Sequence, residues 1–147
     1  MIENIKKIII GSDHAGYKIK EEIKQYLLSQ SHEVNDFGTF SEKSVDYPDY
    51  AHLVANDVNN NNDYIGILVC GSGNGVCITA NKYQQVRAAL CWTTEIASLS
   101  RLHNDANILC IPARFIDSEL AINIVKIFLN TQFEGGRHKI RINKIPL

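Results

Sequence analysis

The segment from Tyr64 to Lys82 constrains the fold most, because it joins a buried strand to a glycine-rich turn. The apolar run Ile65–Val69 predicts a strand that is buried on both faces. Cys70 ends this run, and Gly71-Ser72-Gly73-Asn74-Gly75 follows, after which apolar residues recur at helical spacing. A turn of this kind before a helix offers backbone N–H groups to an anion. The sequence therefore predicts a ligand site here, with Cys70 placed where a thiolate would be stabilised.

Predicted strands and helices alternate along the whole chain. The hydrophobic pattern predicts strands at residues 6–11, 32–36, 65–69, 86–91 and 107–111, with helical periodicity between them and short connections. This alternation predicts an α/β fold: a Rossmann-like three-layer αβα sandwich with a five-stranded parallel sheet. One domain is expected over residues 1–147, with residues 133–147 as a C-terminal arm outside the core.

The composition argues against several classes of function. The formal net charge of −1 disfavours a general nucleic-acid or anionic-membrane surface. No stretch approaches the roughly 20 apolar residues of a membrane span, and the apolar part of the N-terminus is too short for a signal peptide. The four cysteines lack zinc-site spacing, so we expect reduced thiols in the cytoplasm and no metal.

Polar residues follow three of the predicted strands. These groups are Ser12-Asp13-His14, the Cys70–Gly75 turn and Trp92-Thr93. Parallel sheets bind ligands outside the carboxyl ends of their strands, so we expect the three groups to converge. Asp13 has a simpler alternative as a cap of the first helix. The Cys70–Gly75 turn also has a simpler alternative, as a plain connection between a strand and a helix. Its three glycines and the Ser72 hydroxyl exceed what such a connection requires, however, and they favour close approach of a ligand.

Basic residues near the C-terminus suggest an anion site. Arg137 and Arg141 are four residues apart and would share one face of a helix. Gly135-Gly136 would allow the chain to reverse just before them. Two guanidinium groups suit a dianionic phosphate, although a solvated basic arm is the simpler alternative. His103 lies near a predicted helix end, where a histidine is commonly an exposed residue favoured by the helix dipole.

Six short segments then occur in order: Gly-Ser-Asp-His-Ala-Gly (11–16), Asp-Tyr-Pro (46–48), Cys-Gly-Ser-Gly-Asn-Gly (70–75), Ala-Asn-Lys (80–82), Ser-Arg-Leu-His-Asn-Asp-Ala-Asn (100–107) and Glu-Gly-Gly-Arg-His (134–138). Together they resemble the type B ribose-5-phosphate isomerases, within the group that includes the galactose-6-phosphate isomerase subunits. The resemblance spans essentially the whole chain. It implies an aldose–ketose isomerase of the pentose phosphate pathway that converts D-ribose 5-phosphate to D-ribulose 5-phosphate without metal or nucleotide. It also implies a homodimer or a dimer of dimers with a shared active site.

The resemblance further implies roles for individual residues. Cys70 would be the base that moves a proton between C2 and C1, with the amides of Gly71, Ser72, Gly73, Asn74 and Gly75 around the enediolate. His103 would assist opening of the furanose ring, with Ser72 and Asp13 close to the ring atoms. The other implied substrate contacts are Tyr47 in the pocket, Asn104 on the sugar, His14, Arg137, Arg141 and Arg114 on the phosphate, and His138. In the family, His103, Asn104 and Arg114 reach in from the neighbouring subunit.

This chain departs from the family pattern at two positions of the turn. Ser72 replaces a common threonine and keeps its hydroxyl, whereas Asn74 replaces a small apolar residue and would alter substrate positioning if it pointed inward. Some relatives use a glutamate later in this turn as the base; here position 75 is glycine, which leaves the role to Cys70. The closest alternative is an isomerase of allose 6-phosphate or galactose 6-phosphate. A nucleotide- or flavin-binding module would need a ribose-binding carboxylate and aromatic residues around a flat ring, which the sequence does not offer.

Overall fold

Strands and helices alternate through the described part of the chain, which comprises residue 2 and residues 4–147 of a computed structural model. The strands are β1 (Lys7–Ser12), β2 (Val34–Asp36), β3 (Tyr64–Cys70), β4 (Ala88–Leu90) and β5 (Ile108–Pro112). The helices are α1 (Tyr17–Ser29), α2 (Tyr47–Asn60), α3 (Asn74–Ala80), α4 (Thr94–Asn104), α5 (Ser118–Asn130) and α6 (Arg137–Ile142).

The five strands form one parallel sheet in the order β2-β1-β3-β5-β4. Residues of α1, α4 and α5 pack on one face of this sheet, and residues of α2 and α3 pack on the other. The predicted α/β sandwich with a five-stranded parallel sheet is therefore confirmed. None of the helices among the described residues has the length and apolar character needed to cross a membrane.

The central strand β3 is apolar throughout because both of its faces are covered. Ile67 and Val69 belong to the core under α1, α4 and α5, whereas Leu68 and Cys70 belong to the core under α2 and α3. Successive side chains of a strand point to opposite faces, which explains this division. The register of β3 thereby directs Cys70 towards the layer that contains α2 and α3.

Side-chain caps begin two of the helices, α4 and α5. The Thr93 hydroxyl accepts a hydrogen bond from the Ile96 N–H at 3.2 Å, before α4. The Asp117 carboxylate accepts one from the Leu120 N–H at 2.8 Å, before α5. Caps of this type each contribute about 1 kcal/mol to the stability of a helix.

The C-terminal arm is more ordered and more buried than the sequence suggests. Residues 137–142 form α6, whose His138 and Ile142 side chains are buried, and α6 packs against α4. The expectation of an arm outside the core is therefore wrong for this segment. The physical reason is a spacing of four residues, which places the two buried side chains on one face of the helix and leaves Arg137 and Arg141 exposed on the adjacent flank.

Candidate active site

A cleft of about 450 Å³ opens at the carboxyl edge of the sheet. It lies where the connections from β1 and β3 diverge in the strand order, which is where open parallel sheets bind ligands. The lining residues are Asp13, His14, Ala15, Tyr47, Cys70, Gly71, Ser72, Gly75, Arg114 and Phe115. The predicted convergence is confirmed for the groups that follow β1 and β3. Trp92, from the third predicted group, lines a neighbouring groove instead.

Cys70 lies at the end of β3 with its side chain almost fully buried. The N–H of Gly73 donates a hydrogen bond to Cys70 Sγ at 3.1 Å, and the N–H of Asn74 donates to Ser72 Oγ at 3.3 Å. Gly73 has φ +73°, a conformation that glycine adopts without a steric penalty. The turn therefore folds back over the sulfur. A backbone N–H directed at sulfur stabilises the thiolate, which is the form of cysteine that acts as a base.

Asp13 and His14 occupy the β1 side of the cleft. Asp13 Oδ1 accepts a hydrogen bond from the Gly16 N–H at 3.0 Å, so this carboxylate braces the start of α1 and also lines the cleft. His14 Nδ1 accepts a hydrogen bond from the Val45 N–H at 3.2 Å. A nitrogen that accepts carries no proton, so the neutral His14 ring holds its proton on Nε2 and can donate it to a ligand.

Tyr47 and Arg114 close over the glycine turn. A Cβ atom at Gly75 would lie 2.5 Å from the Tyr47 ring, and one at Gly71 would lie 3.1 Å from Arg114 Nη1. The Arg114 N–H also donates to the Gly71 carbonyl at 3.0 Å. Arg114 therefore lies in the cleft of its own chain, and the expectation that it comes from a neighbouring subunit is wrong. The reason is the register of β5, which pairs Pro112 with Cys70 and so places Arg114 beside the turn.

Asn74 does not line the cleft that contains Cys70. Its exposed side chain borders an adjacent groove that is otherwise mainly apolar. The other residues of that groove are Ser72, Leu90, Trp92, Pro112, Phe115, Ile116 and Leu120. The departure from the family pattern at position 74 therefore affects this groove and not the space beside the thiol.

The remaining predicted residues form a second group, on α4 and α6. The rings of His103 and His138 stack with centroids 4.2 Å apart and planes 13° apart. Glu134 Oε2 lies 3.7 Å from His138 Nε2 and 3.9 Å from His103 Nε2. Burial lowers the pKa of His138, and the adjacent His103 lowers it further. Glu134 is not among the predicted site residues, although its spacing of four from His138 is a signal that could have identified it.

The second group lies near the amino end of β5, whereas Cys70 lies at the carboxyl ends of the strands. Cys70 pairs with Pro112 at the carboxyl end of β5, whereas α4 ends at Asn104, just before β5 begins. The strand β5 has five residues and spans roughly 16 Å. None of His103, Asn104, Arg137, His138 and Arg141 lines the cleft. One chain therefore brings eight of the fifteen predicted site residues together in the cleft.

Three comparisons with known proteins agree on the family to which this chain is similar. The family model described as Ribose/Galactose Isomerase matches residues 8–145. The chain is 45% identical over 141 residues to ribose-5-phosphate isomerase B of Escherichia coli (strain K12), covering 96% of this chain and 95% of that protein. Its fold matches the ribose 5-phosphate isomerase of Thermotoga maritima with a TM-score of 0.93 at 54% identity, covering 95% and 97% of the two chains.

A second solved structure resembles this chain almost as strongly and contains a sugar phosphate. It is ribose-5-phosphate isomerase B from Mycoplasma genitalium with bound ribulose-5-phosphate, matched with a TM-score of 0.92 at 45% identity over 95% of this chain and 93% of that one. The family model and these relatives cover nearly the full length of the sequence, and they share its fold. The chain belongs to the ribose/galactose isomerase family.

Proposed function

We propose that this protein interconverts D-ribose 5-phosphate and D-ribulose 5-phosphate through a cis-enediolate, with Cys70 as the base. The observation that carries the proposal is the buried sulfur at the base of the cleft, with the Gly73 N–H directed at it. The bound ribulose-5-phosphate in the Mycoplasma genitalium relative supports the choice of a five-carbon substrate.

The proton moves between two adjacent carbons of the open-chain sugar. The Cys70 thiolate removes the proton from C2 of the aldose, and the electrons of the broken C–H bond form a C1–C2 double bond while negative charge develops on O1. A proton then passes from the C2 hydroxyl to O1, so that the negative charge moves to O2. The thiol returns its proton to C1, and the carbonyl re-forms at C2. Donors at the turn are suited to hold the developing charge, since losing one such donor costs about 3–4 kcal/mol in other enzymes. Gly71, Ser72 and Gly75 line the cleft where these donors are needed.

The phosphate is bound at a distance from the reacting carbons, which lets binding energy orient the sugar. His14 can donate from Nε2, and Arg114 brings a guanidinium group to the same cleft. Arg137 and Arg141 lie exposed on one face of α6 and supply two further cations. Guanidinium groups fit the phosphate oxygens in paired hydrogen bonds.

A second copy of the chain completes the site in this proposal. Opening the furanose requires an acid and a base, and His103 with Asn104 lies at the far edge of the sheet. A two-fold dimer would bring the α4 and α6 residues of one copy to the Cys70 cleft of the other. Trp92 and Phe115, with 50% and 74% of their surface exposed, border the groove next to the cleft and offer apolar area for such contact.

The assignment of the base is tested with Cys70→Ala in an assay that couples ribulose 5-phosphate formation to a second enzyme. We expect a loss of at least about a hundredfold in kcat, because general base catalysis commonly contributes that much. Binding of inorganic phosphate should persist. Cys77→Ala is the matched control, since Cys77 is a half-buried thiol outside the cleft. Turnover near the wild-type value in Cys70→Ala would refute the assignment.

The shared site is tested by mixing two inactive variants, Cys70→Ala and His103→Ala, under conditions that exchange subunits. A mixed dimer has one site with both residues intact and one with neither. Because half of randomly formed dimers are mixed, activity should return to about a quarter of the wild-type value. Absence of any recovery, with exchange shown by mass, would exclude a site made from two chains.

The same assay across five- and six-carbon sugar phosphates separates the pentose reaction from the allose 6-phosphate and galactose 6-phosphate alternatives. We expect turnover to be highest on the pentose.

The four free cysteines suit a reducing compartment, and we place the protein in the cytoplasm.

A further inference from the structure

The stacked rings at the end of α4 include one histidine that no step of the proposed reaction uses. The His103 side chain is 40% exposed, whereas the His138 side chain is only 8% exposed. Their planes are nearly parallel, so the ring of His138 lies flat against that of His103. His103 is therefore the ring that a sugar can reach, and His138 is the support on which it rests.

The segment that carries His138 is fastened to α4 beside His103. The Glu134 N–H donates to the Leu102 carbonyl at 3.1 Å, one residue before His103. Beyond it, α6 buries His138 and Ile142 against the body of the protein. The neighbouring flank of α6 exposes Arg137 and Arg141. The proposed ring-opening residue and the two basic residues thus belong to one packed unit.

Electrostatics favour a neutral His138 in this stack. Its pKa is lowered by burial first and by the neighbouring His103, Arg137 and Arg141 charges as well, against the opposing effect of Glu134. Its buried Nε2 has no hydrogen-bond partner among the described residues, and Glu134 Oε2 at 3.7 Å is beyond hydrogen-bonding distance. A neutral ring can pack against His103 without the repulsion of two imidazolium groups.

The same three side chains, His103, Glu134 and His138, are ligand types that zinc accepts. Imidazole nitrogens bind metals along lone pairs that lie in the ring plane. In a stack with planes 13° apart, the two Nε2 lone pairs lie in nearly parallel planes, and such planes do not converge on one ion. The geometry therefore favours a packing role for His138 over a metal site.

We propose that His138 is a positioning residue, whose ring holds His103 in the orientation needed to open the sugar ring and joins it to the basic face of α6. The inference rests on the proposed role of His103. It differs from the expectation that His138 contacts the substrate directly, and the two ideas make different predictions for KM.

The test compares four variants of the full-length protein on D-ribose 5-phosphate. His138→Ala removes the support and should lower kcat on the order of tenfold, because displacing a catalytic group by about 1 Å can cost more than that, while KM stays within about twofold. His138→Phe keeps a flat ring and should restore most of the lost kcat. Ile142→Ala loosens the docking of α6 but keeps the His138 ring, so kcat should fall less than in His138→Ala. Lys139→Ala alters an exposed residue of the same helix and should keep kcat near the wild-type value.

A second measurement isolates ring opening. D-Ribulose 5-phosphate carries its phosphate on the hydroxyl that would close a furanose, so it is already open-chain. In D2O the enzyme exchanges a C1 hydrogen of this ketose through the enediolate, with no ring to open. His138→Ala should therefore exchange at a rate close to the wild type while its turnover of the aldose falls. An equal loss in both reactions, or a KM raised as much as in Arg137→Ala, would overturn the proposal.

The orientation of His103 can also be followed without substrate. In protein labelled with 13C in histidine, the His103 ring signal should broaden or move in His138→Ala and return towards the wild-type position in His138→Phe. An unchanged His103 signal in His138→Ala would refute the support role even if catalysis is impaired. If the wild type lacks isomerase activity, the proposed function fails, while this readout still decides whether His138 orients His103.

Discussion

Gly73→Ala is predicted to damage both the stability and the activity of the protein. Gly73 has φ +73°, where a residue with a Cβ atom is strained by about 1 kcal/mol. A Cβ built there would lie only 2.4 Å from Leu90 Cδ1 and 3.2 Å from backbone atoms of Ile111 and Pro112. Forcing extra volume into a packed site commonly costs about 1–3 kcal/mol. We therefore expect the free energy of unfolding to fall by roughly 2–4 kcal/mol.

Gly135→Ala is the matched control for the backbone strain that a Cβ atom causes at positive φ. Gly135 also has φ +73°, but no atom lies within 4 Å of a Cβ built on it. Its replacement should cost only the strain of about 1 kcal/mol. Urea denaturation of both variants, with equal slopes against denaturant, measures the difference. Equal destabilisation of the two would refute the argument that close packing restricts position 73 to glycine.

The same substitution tests the contact between the turn and the thiol. Moving residue 73 away from Leu90 displaces the N–H that points at Cys70 Sγ. Isomerase activity per folded molecule should therefore fall by at least about tenfold, as expected when a hydrogen bond to a charged group is lost. The rate of Cys70 alkylation should fall in parallel. A fully active Gly73→Ala protein would show that this N–H is not needed by the base.

Three further predictions concern other parts of the molecule. Arg137→Ala and Arg141→Ala should each raise KM for sugar phosphates by about tenfold with a smaller change in kcat, since each loses a charged contact to the phosphate. Burial of Asp36 opposes its ionisation, but hydrogen bonds from two lysines and the Gly38 N–H outweigh this and lower its pKa below 3.8. Its contribution to stability is present above pH 3.8 and is lost as the pH falls through the lowered pKa, so acid unfolding should begin at higher pH in Asp36→Asn. Burial raises the pKa of Cys91 to about 11, so iodoacetamide at pH 8 should label it only in the unfolded protein.

Hydrophobic patterning was sufficient for the architecture but not for the C-terminal arm. The apolar run of β3 is continuous and long enough to indicate a strand that is covered on both faces. Few other structures produce such a pattern. The arm offers only Ile142 and one histidine to the core, a signal too weak to separate a docked helix from a loose tail. Its helix depends on tertiary contact with α4, which the local sequence does not contain.

The position of Arg114 shows how register decides a site. Counting along the sequence places it after the fifth predicted strand, and the family resemblance assigns it to a neighbouring subunit. The pairing of Pro112 with Cys70 instead carries it to the turn of its own chain. The order of strands in a sheet is a long-range property. The local sequence therefore contains no signal that β5 lies beside β3.

The sequence by itself determined the parallel α/β fold, the glycine turn that follows Cys70 and the family of the chain, because each depends on local periodicity or on short ordered segments. Only the tertiary structure decided which of those segments meet. It gathers Asp13, Tyr47 and Arg114 around Cys70, since loops at one edge of a parallel sheet converge. It also leaves His103 and His138 stacked at the other edge, because a helix that returns between parallel strands ends where the next strand begins.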